Sequence, residues 1–217
     1  MTLADGRAAL TGDIRFPLKP RAPREEITLS LTAELADLRS ETLVPSKLLS
    51  MPRAQLAIDD NRLEISGDGR LGLAAFSGAW TQPFSPPGSG EPAPPAELLA
   101  EVEITPEALT DFNITLPPGA GRGVGTGALR LSFPRGEAPQ YQFASDLRGL
   151  GLRDVTLGWG KAPGSAGQLD VAGRLGAEPS VERLTVAAQG FNAEGRIALA
   201  EGPGAIQRAQ IARIREG

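Results

Sequence analysis

The stretch Ile27-Thr28-Leu29-Ser30-Leu31-Thr32-Ala33-Glu34-Leu35 decides the fold, because its odd positions are all apolar and its even positions are all polar. Side chains of a β-strand point alternately to opposite faces, so the apolar residues of this stretch share one face. The same alternation, ended each time by Gly, Pro or Asp, restarts along most of the chain. It predicts an all-β protein whose strands, about ten to twelve in number, follow one another as a mostly antiparallel meander.

The composition narrows the possible functions. The chain has 217 residues, of which 41% are hydrophobic but only 5% aromatic, so its apolar surface is mainly aliphatic. It has no Cys and no His, which excludes disulfides, thiolate metal sites and a Ser-His catalytic pair. Net charge is −4 with no basic stripe, so we expect no nucleic-acid partner.

Neither a signal peptide nor a membrane-spanning helix is predicted, because the start lacks an apolar run and no segment is apolar over about 18 residues. Both ends read as strands. We therefore expect one domain over residues 1–217, cut from a much longer protein.

A hairpin is predicted over 53–66, where the chain turns at Asp59-Asp60-Asn61. The Pro-rich and Gly-rich stretch 82–95 is interpreted as a long hairpin loop within the domain, with an interdomain linker as the alternative. Thr105 followed by Pro106 predicts the start of a short helix. Further elements are a first strand over 8–16, a short helical turn within 39–51, a strand through Val155, Leu157 and Trp159, and a last strand over 205–214.

Three motifs could have either a structural role or a binding or catalytic role. The glycines of 119–127 recur at every second residue, which fits a flexible strand entry and not a nucleotide-binding loop. Asp59, Asp60 and Glu64 fit a hairpin turn, with a calcium site or a glycosidase carboxylate pair as the alternative. Lys161 fits a strand end closed by a Gly/Pro turn, with a buried catalytic lysine as the alternative.

The apolar positions of the alternating strands form a single stripe, which is the candidate binding surface. The pattern fits two interpretations: the core of a closed β-sandwich, or the floor of an open sheet that receives acyl chains. Its members are Leu10, Ile14, Phe16, Ile27, Leu29, Leu31, Leu56, Ile58, Leu63, Ile65, Leu71, Leu129, Leu131, Phe133, Tyr141, Phe143, Leu169 and Val171.

Four stretches between residues 127 and 195 resemble a known family. They are Gly127–Gly136, Asp146–Leu152, Leu157-Gly158-Trp159-Gly160-Lys161-Ala162-Pro163-Gly164, and Gly190–Gly195. Together they resemble the C-terminal region of the bacterial AsmA-like envelope proteins of the YhdP type, while residues 1–120 are similar in style only.

The resemblance implies a large, curved, mostly antiparallel sheet that forms a hydrophobic groove, an open barrel-like or taco-shaped trough with one or two short helices. It also implies a non-enzymatic function without a cofactor: shielding phospholipid acyl chains on their way between the inner and outer membranes of Gram-negative bacteria. The location implied is the periplasm, with the full-length protein anchored to the inner membrane by parts absent from this chain.

A second hypothesis stays open. The chain would be a structural or assembly module of the cell envelope, a closed sandwich whose edge strands pair with a partner or a neighbouring sheet.

Overall fold

The computed structural model describes residues 4–17, 28–44, 46–85, 90–114, 116–154, 158–199 and 206–215. From residue 197 onward it describes the backbone alone.

The described residues form fifteen strands and one short helix, α1 (Pro106–Asp111). The strands are β1 (Asp5–Arg15), β2 (Thr28–Val44), β3 (Lys47–Ile58), β4 (Arg62–Leu71), β5 (Ala74–Pro83), β6 (Ala96–Ile104), β7 (Gly121–Gly123), β8 (Gly125–Phe133), β9 (Gln140–Ser145), β10 (Leu150–Asp154), β11 (Trp159–Lys161), β12 (Gly167–Arg174), β13 (Ser180–Ala188), β14 (Phe191–Leu199) and β15 (Ile206–Arg215).

Twelve of the strands belong to one sheet in the order β1-β2-β3-β4-β5-β6-β8-β9-β12-β13-β14-β15. The remaining three form a small sheet in the order β11-β10-β7. In the large sheet, each strand lies beside the strand that precedes it in the sequence, except where strands of the small sheet intervene. Every strand pair for which a register is resolved is antiparallel. The predicted all-β, mostly antiparallel meander is therefore confirmed.

Two contact-defined units divide the chain. Unit 1 comprises Met1–Leu71 and Phe76–Leu98, and unit 2 comprises Gly72–Ala75 and Leu99–Gly217. Unit 1 thus holds β1 to β4, most of β5 and the first residues of β6. Unit 2 holds α1 and β7 to β15.

The predicted helical turn within 39–51 is wrong, because β2 continues to Val44 and β3 begins at Lys47. The alternation is lost there for another reason. Asp37 has a φ of 56°, and the register of β2 against β3 shifts between Ser40 and Val44. The Ser40 hydroxyl also accepts hydrogen bonds from the backbone N–H groups of Thr42 and Leu43, at 3.3 and 3.2 Å. An irregular strand, and not a helix, therefore breaks the period.

The predicted strand through Val155, Leu157 and Trp159 lies mostly outside the described residues. Asp154 ends β10, Trp159 begins β11, and these two residues pair in an antiparallel register. They belong to two strands of a hairpin, while Val155 and Leu157 lie outside the described residues.

The other element predictions are confirmed where the structure describes them. The hairpin of β3 and β4 turns at Asp59-Asp60-Asn61, and β15 forms the last strand. Residues 84–95 lie between β5 and its sheet neighbour β6, and residues 86–89 are outside the described part. That 82–95 is a loop within one domain stays a prediction. Helix α1 begins after Thr105, whose hydroxyl accepts a hydrogen bond from the Ala108 N–H at 3.0 Å.

Candidate functional site

The apolar positions of β1 to β4 align row by row on one face of unit 1, which we call the unit 1 apolar face. Opposite residues of an antiparallel pair point to the same side of the sheet, so the register defines the rows. The rows are Ile14–Leu29, Gly12–Leu31–Ile58–Leu63, Leu10–Ala33–Leu56–Ile65, and Ala8–Leu35–Ala54–Gly67.

The large side chains of this face are not completely buried. Leu10 and Ile14 in β1 are 62% and 64% exposed, and Leu31, Leu56 and Ile65 are partly buried. Apart from Met51 and Ser40, the buried residues among those described in unit 1 are alanines. A sheet with such a face is stable only if something covers it.

Glycines let two large side chains lie close to the sheet at one end of this face. A side chain at Gly69 would meet Met51 and Phe76, with Cβ distances of 2.8 Å to Met51 Cγ and 2.9 Å to Phe76 Cζ. A side chain at Gly67 would meet Met51 Cε at 3.2 Å. Gly67 and Gly69 therefore make room for the side chains of Met51 and Phe76.

Eight stripe residues predicted from the sequence lie together on the unit 1 apolar face: Leu10, Ile14, Leu29, Leu31, Leu56, Ile58, Leu63 and Ile65. Leu71 pairs with Leu49 further along β4. Phe16 follows the end of β1, so it is not part of that strand. It is 59% exposed. Ile27 lies outside the described residues.

In unit 2 the predicted stripe residues also share one face, across β8, β9 and β12. Leu129, Phe143 and Val171 form one row, and Leu131, Tyr141 and Gly173 form the next. A Cβ at Gly127 would collide with the ring of Phe143, so this ring lies directly over Gly127. Leu169 pairs with Ser145 and Val186, and Phe133 is the last residue of β8.

One end of the unit 2 face is already covered. Ile104, Leu147 and Leu150 form a buried cluster against which Phe143, Leu169 and other partly buried residues pack. The further residues of this contact are Leu109 of α1, Leu152 of β10 and Val186 of β13. Phe143 and Leu169 are therefore engaged in protein core, whereas Leu131 and Tyr141 lie outside this cluster.

Lys161 holds the cover in place from β11. It pairs with Leu152 and is only 6% exposed. Its ammonium donates to the carbonyls of Leu147 at 2.7 Å, Leu150 at 2.9 Å and Ala162 at 3.2 Å, so all three N–H donors have an acceptor. Burial lowers the pKa of Lys161, and the nearby Asp146 carboxylate acts in the opposite direction. Sequence reasoning placed Lys161 at a strand end but gave no sign of this carbonyl site.

Two glycines allow the backbone to cross at the edge of the same small sheet. Gly123 and Gly149 have φ angles of 88° and 85°, a region that other residues rarely adopt. A Cβ at Gly123 would collide with the Gly149 carbonyl oxygen, and a Cβ at Gly149 with the Val124 carbonyl oxygen. Part of the glycine run of 119–127 therefore allows a close approach of two backbone segments. The spacing of the glycines predicts only a flexible strand entry.

The outer face of the small sheet borders a cavity of about 450 Å³. Leu152 and Lys161 point inward, so by alternation Arg122, Gly151, Arg153 and Gly160 point outward. The Arg122 side chain lies across Gly151, 3.0 Å from where a Cβ would be. Two guanidinium groups on a glycine surface offer donors suited to a carboxylate or a phosphate.

Of the three acidic residues in the β3–β4 hairpin, Asp59 forms hydrogen bonds within the turn. Asp59 Oδ1 accepts hydrogen bonds from the N–H groups of Asn61 at 2.7 Å and Arg62 at 3.0 Å. Asp60 Oδ1 accepts from the Leu29 N–H at 2.7 Å, and Glu64 lies 3.6 Å from Arg62. The described part of the chain holds no group of three or more acidic, His or Cys side chains arranged for a metal ion. The turn interpretation is therefore supported for Asp59, whereas Asp60 joins the hairpin to β2.

Among the described residues, no helix has the length and hydropathy needed to cross a membrane. Comparisons with protein-family models, with curated proteins and with solved structures found no match for this chain.

Proposed function

We propose that this chain is a non-enzymatic lipid-conducting segment that shields phospholipid acyl chains between two membranes. The observation that supports it is the unit 1 apolar face, on which leucine and isoleucine side chains align across four strands without being completely buried. This face needs a cover, and acyl chains have the right chemistry to supply it.

The described residues of unit 1 provide no helix for this purpose, since the one described helix, α1, has six residues and belongs to unit 2. The apolar positions of β1 from Ala8 to Ile14 extend over roughly 20 Å at the usual rise of a strand. Each CH₂ group removed from water contributes about 0.8 kcal/mol, so an acyl chain laid along this length would be held by its hydrocarbon alone. The headgroup would remain in water.

The resemblance to AsmA-like envelope proteins supports the same proposal, and it adds the setting. The chain would act in the periplasm of Gram-negative bacteria as part of a longer protein anchored to the inner membrane. No step of this function requires a cofactor or a catalytic residue.

The test compares two charges on adjacent residues of β2 that point to opposite faces. Leu31→Asp places a carboxylate on the apolar face between Gly12 and Ile58, whereas Thr32→Asp places it on the polar face between Thr11 and Ala57. Native mass spectrometry of the purified proteins would detect bound phospholipid, and transfer of labelled phospholipid between vesicles would measure conduction.

We expect Leu31→Asp to lose both bound lipid and transfer while Thr32→Asp keeps them. Circular dichroism checks that both variants retain their strands. If the folded Leu31→Asp protein binds and transfers lipid as well as Thr32→Asp does, the apolar face is not the conduit.

A second candidate function is that of an assembly module, and it is favoured by β1. Among the described strands, β1 has only β2 as a neighbour in the sheet, and all eleven of its residues are exposed. An exposed edge strand is a template for pairing with another chain.

A further inference from the structure

In the edge strand β1, charged residues lie at equal distances on both sides of Leu10, and those at equal distances have opposite charges. Asp5, Arg7, Asp13 and Arg15 occupy the polar face, and Leu10 lies at the middle of the strand. The strand contains neither Pro nor Lys, the residues that commonly protect a sheet edge from pairing. The sequence of β1 therefore favours pairing with a strand that places an opposite charge across from each of these four residues.

We propose that the partner is a second copy of this chain, docked antiparallel along β1 with Leu10 at the two-fold axis. The two β1 strands would then continue one sheet across both copies. The proposal does not depend on lipid conduction, because it concerns the backbone edge of unit 1 and not its apolar face.

The charges select this arrangement. With Leu10 opposite Leu10 of the second copy, Arg7 lies opposite Asp13 and Asp5 lies opposite Arg15. Two-fold symmetry repeats each pair, giving four cross-strand ion pairs. Opposite charges across a strand pair are favourable and like charges are unfavourable.

The neighbouring registers are disfavoured. A shift by two residues in one direction places Asp5 opposite Asp13, and the same shift in the other direction places Arg7 opposite Arg15. A shift by one residue places the apolar face of one copy beside the polar face of the other. Repulsion in the alternatives, together with attraction in one arrangement, is how an interface gains specificity.

The apolar side of β1 also fits itself in this register. Ile14 lies opposite Gly6, so the large side chain meets a position without one, and the small residues Gly12 and Ala8 flank the Leu10 pair. Arg7 already pairs with Asp37 of β2, but both side chains are largely exposed, so its guanidinium keeps donors for a second carboxylate.

A strand edge is a small contact. It offers eleven residues on each side, fewer than the roughly 20–30 of a stable interface. The dimer should therefore be weak, and its population should rise with protein concentration.

Cysteine cross-linking tests the register directly, because the chain has no native cysteine. Opposite residues in an antiparallel pair have Cα atoms about 4.5–5.5 Å apart, which a disulfide can span. Leu10→Cys should therefore form a covalent dimer under mild oxidation. The control is Ile14→Cys, equally exposed at 64% against 62%, whose two copies would lie far apart.

Charge reversal supplies the second measurement. Arg15→Asp places a carboxylate opposite Asp5 of the second copy, and sedimentation equilibrium should show a dimer weakened roughly ten- to thirtyfold. Adding Asp5→Arg to the same protein should restore it. A strictly monomeric native chain, or equal cross-linking of the Leu10→Cys and Ile14→Cys proteins, would overturn the proposal.

Discussion

At the scale of single residues, Lys161 is the side chain whose removal should cost most. Lys161→Met keeps the aliphatic stem but removes three hydrogen bonds that the ammonium donates to the carbonyls of Leu147, Leu150 and Ala162. The Leu147 carbonyl still accepts from the Leu150 N–H, and the Ala162 carbonyl still accepts from Ser165. A hydrogen bond to a charged group contributes about 1.5–3 kcal/mol, so we expect a loss of unfolding free energy of about that size.

The measurement is urea unfolding followed by Trp159 fluorescence in a Trp80→Phe background, since the chain has two Trp residues. Arg153→Met is the control, because Arg153 is exposed on the opposite face of the same sheet. Equal losses for the two variants would mean that the carbonyl contacts of Lys161 do not stabilise the cover.

Tyr141 gives a second prediction at this scale, because it is the only tyrosine of the chain. Burial, and to a smaller extent the charge of Glu182, raise the pKa of Tyr141 above 10.0. Ultraviolet titration of the phenolate should show this raised pKa, and Glu182→Gln should lower it only in part. A folded pKa above the unfolded one means that the folded state holds its proton longer. The stability linked to Tyr141 is therefore complete below pH 10 and is lost as the pH rises through the folded pKa. An ordinary tyrosine titration in the folded protein would contradict this.

At the scale of elements, the β3–β4 hairpin depends on the side chain of Asp59. Asp59→Ala removes the acceptor of two turn hydrogen bonds, and we expect it to lower the unfolding free energy by about 1 kcal/mol. Asp59→Asn keeps a side-chain oxygen at the same place and should cost less. Chemical unfolding followed by Trp80 fluorescence in a Trp159→Phe background checks the order of the two variants. If they are equally destabilised, charge and not hydrogen bonding is what the turn requires.

The strands could be predicted from the sequence because alternation reports the two faces of a strand directly. It assigned Leu29, Leu31 and Leu56 to the face on which the register places them. It failed where a local irregularity changed the phase, as at Asp37, because a bulge and a helical turn interrupt the alternation in the same way.

The covered end of unit 2 could not be predicted from periodicity. The Lys161 ammonium reaches carbonyls 11 and 14 residues away in the chain, and Gly123 meets Gly149 across 26 positions. Such contacts depend on how a three-stranded sheet packs, which no short window of sequence contains. The positive φ angles of both glycines leave only a weak signal, an excess of Gly.

At the scale of the whole molecule, the apolar faces of the two units differ in how far they are buried. Unit 2 buries part of its face under Ile104, Leu147 and Leu150, whereas the described residues of unit 1 bury mainly alanines and Met51. Apolar area left in water contributes no stability. Unit 1 should therefore be the part that gains most from an added apolar molecule.

This asymmetry predicts that phospholipid stabilises the protein. A ligand that binds only the folded state adds about 2.7 kcal/mol at a concentration one hundred times its Kd. We expect short-chain phospholipid, added below its micellar concentration, to raise the unfolding free energy reported by Trp80, which belongs to unit 1.

The matching headgroup without acyl chains is the control, and it should have no effect, because the apolar face offers it nothing to bind. Leu31→Asp should abolish the gain and Thr32→Asp should preserve it, since only the former places a charge on the rows shared with Gly12 and Ile58. Stabilisation by the headgroup alone would instead indicate binding of its phosphate by Arg122 and Arg153 on the small sheet. Because that outcome uses a different surface, the experiment separates recognition of the acyl chain from recognition of the phosphate.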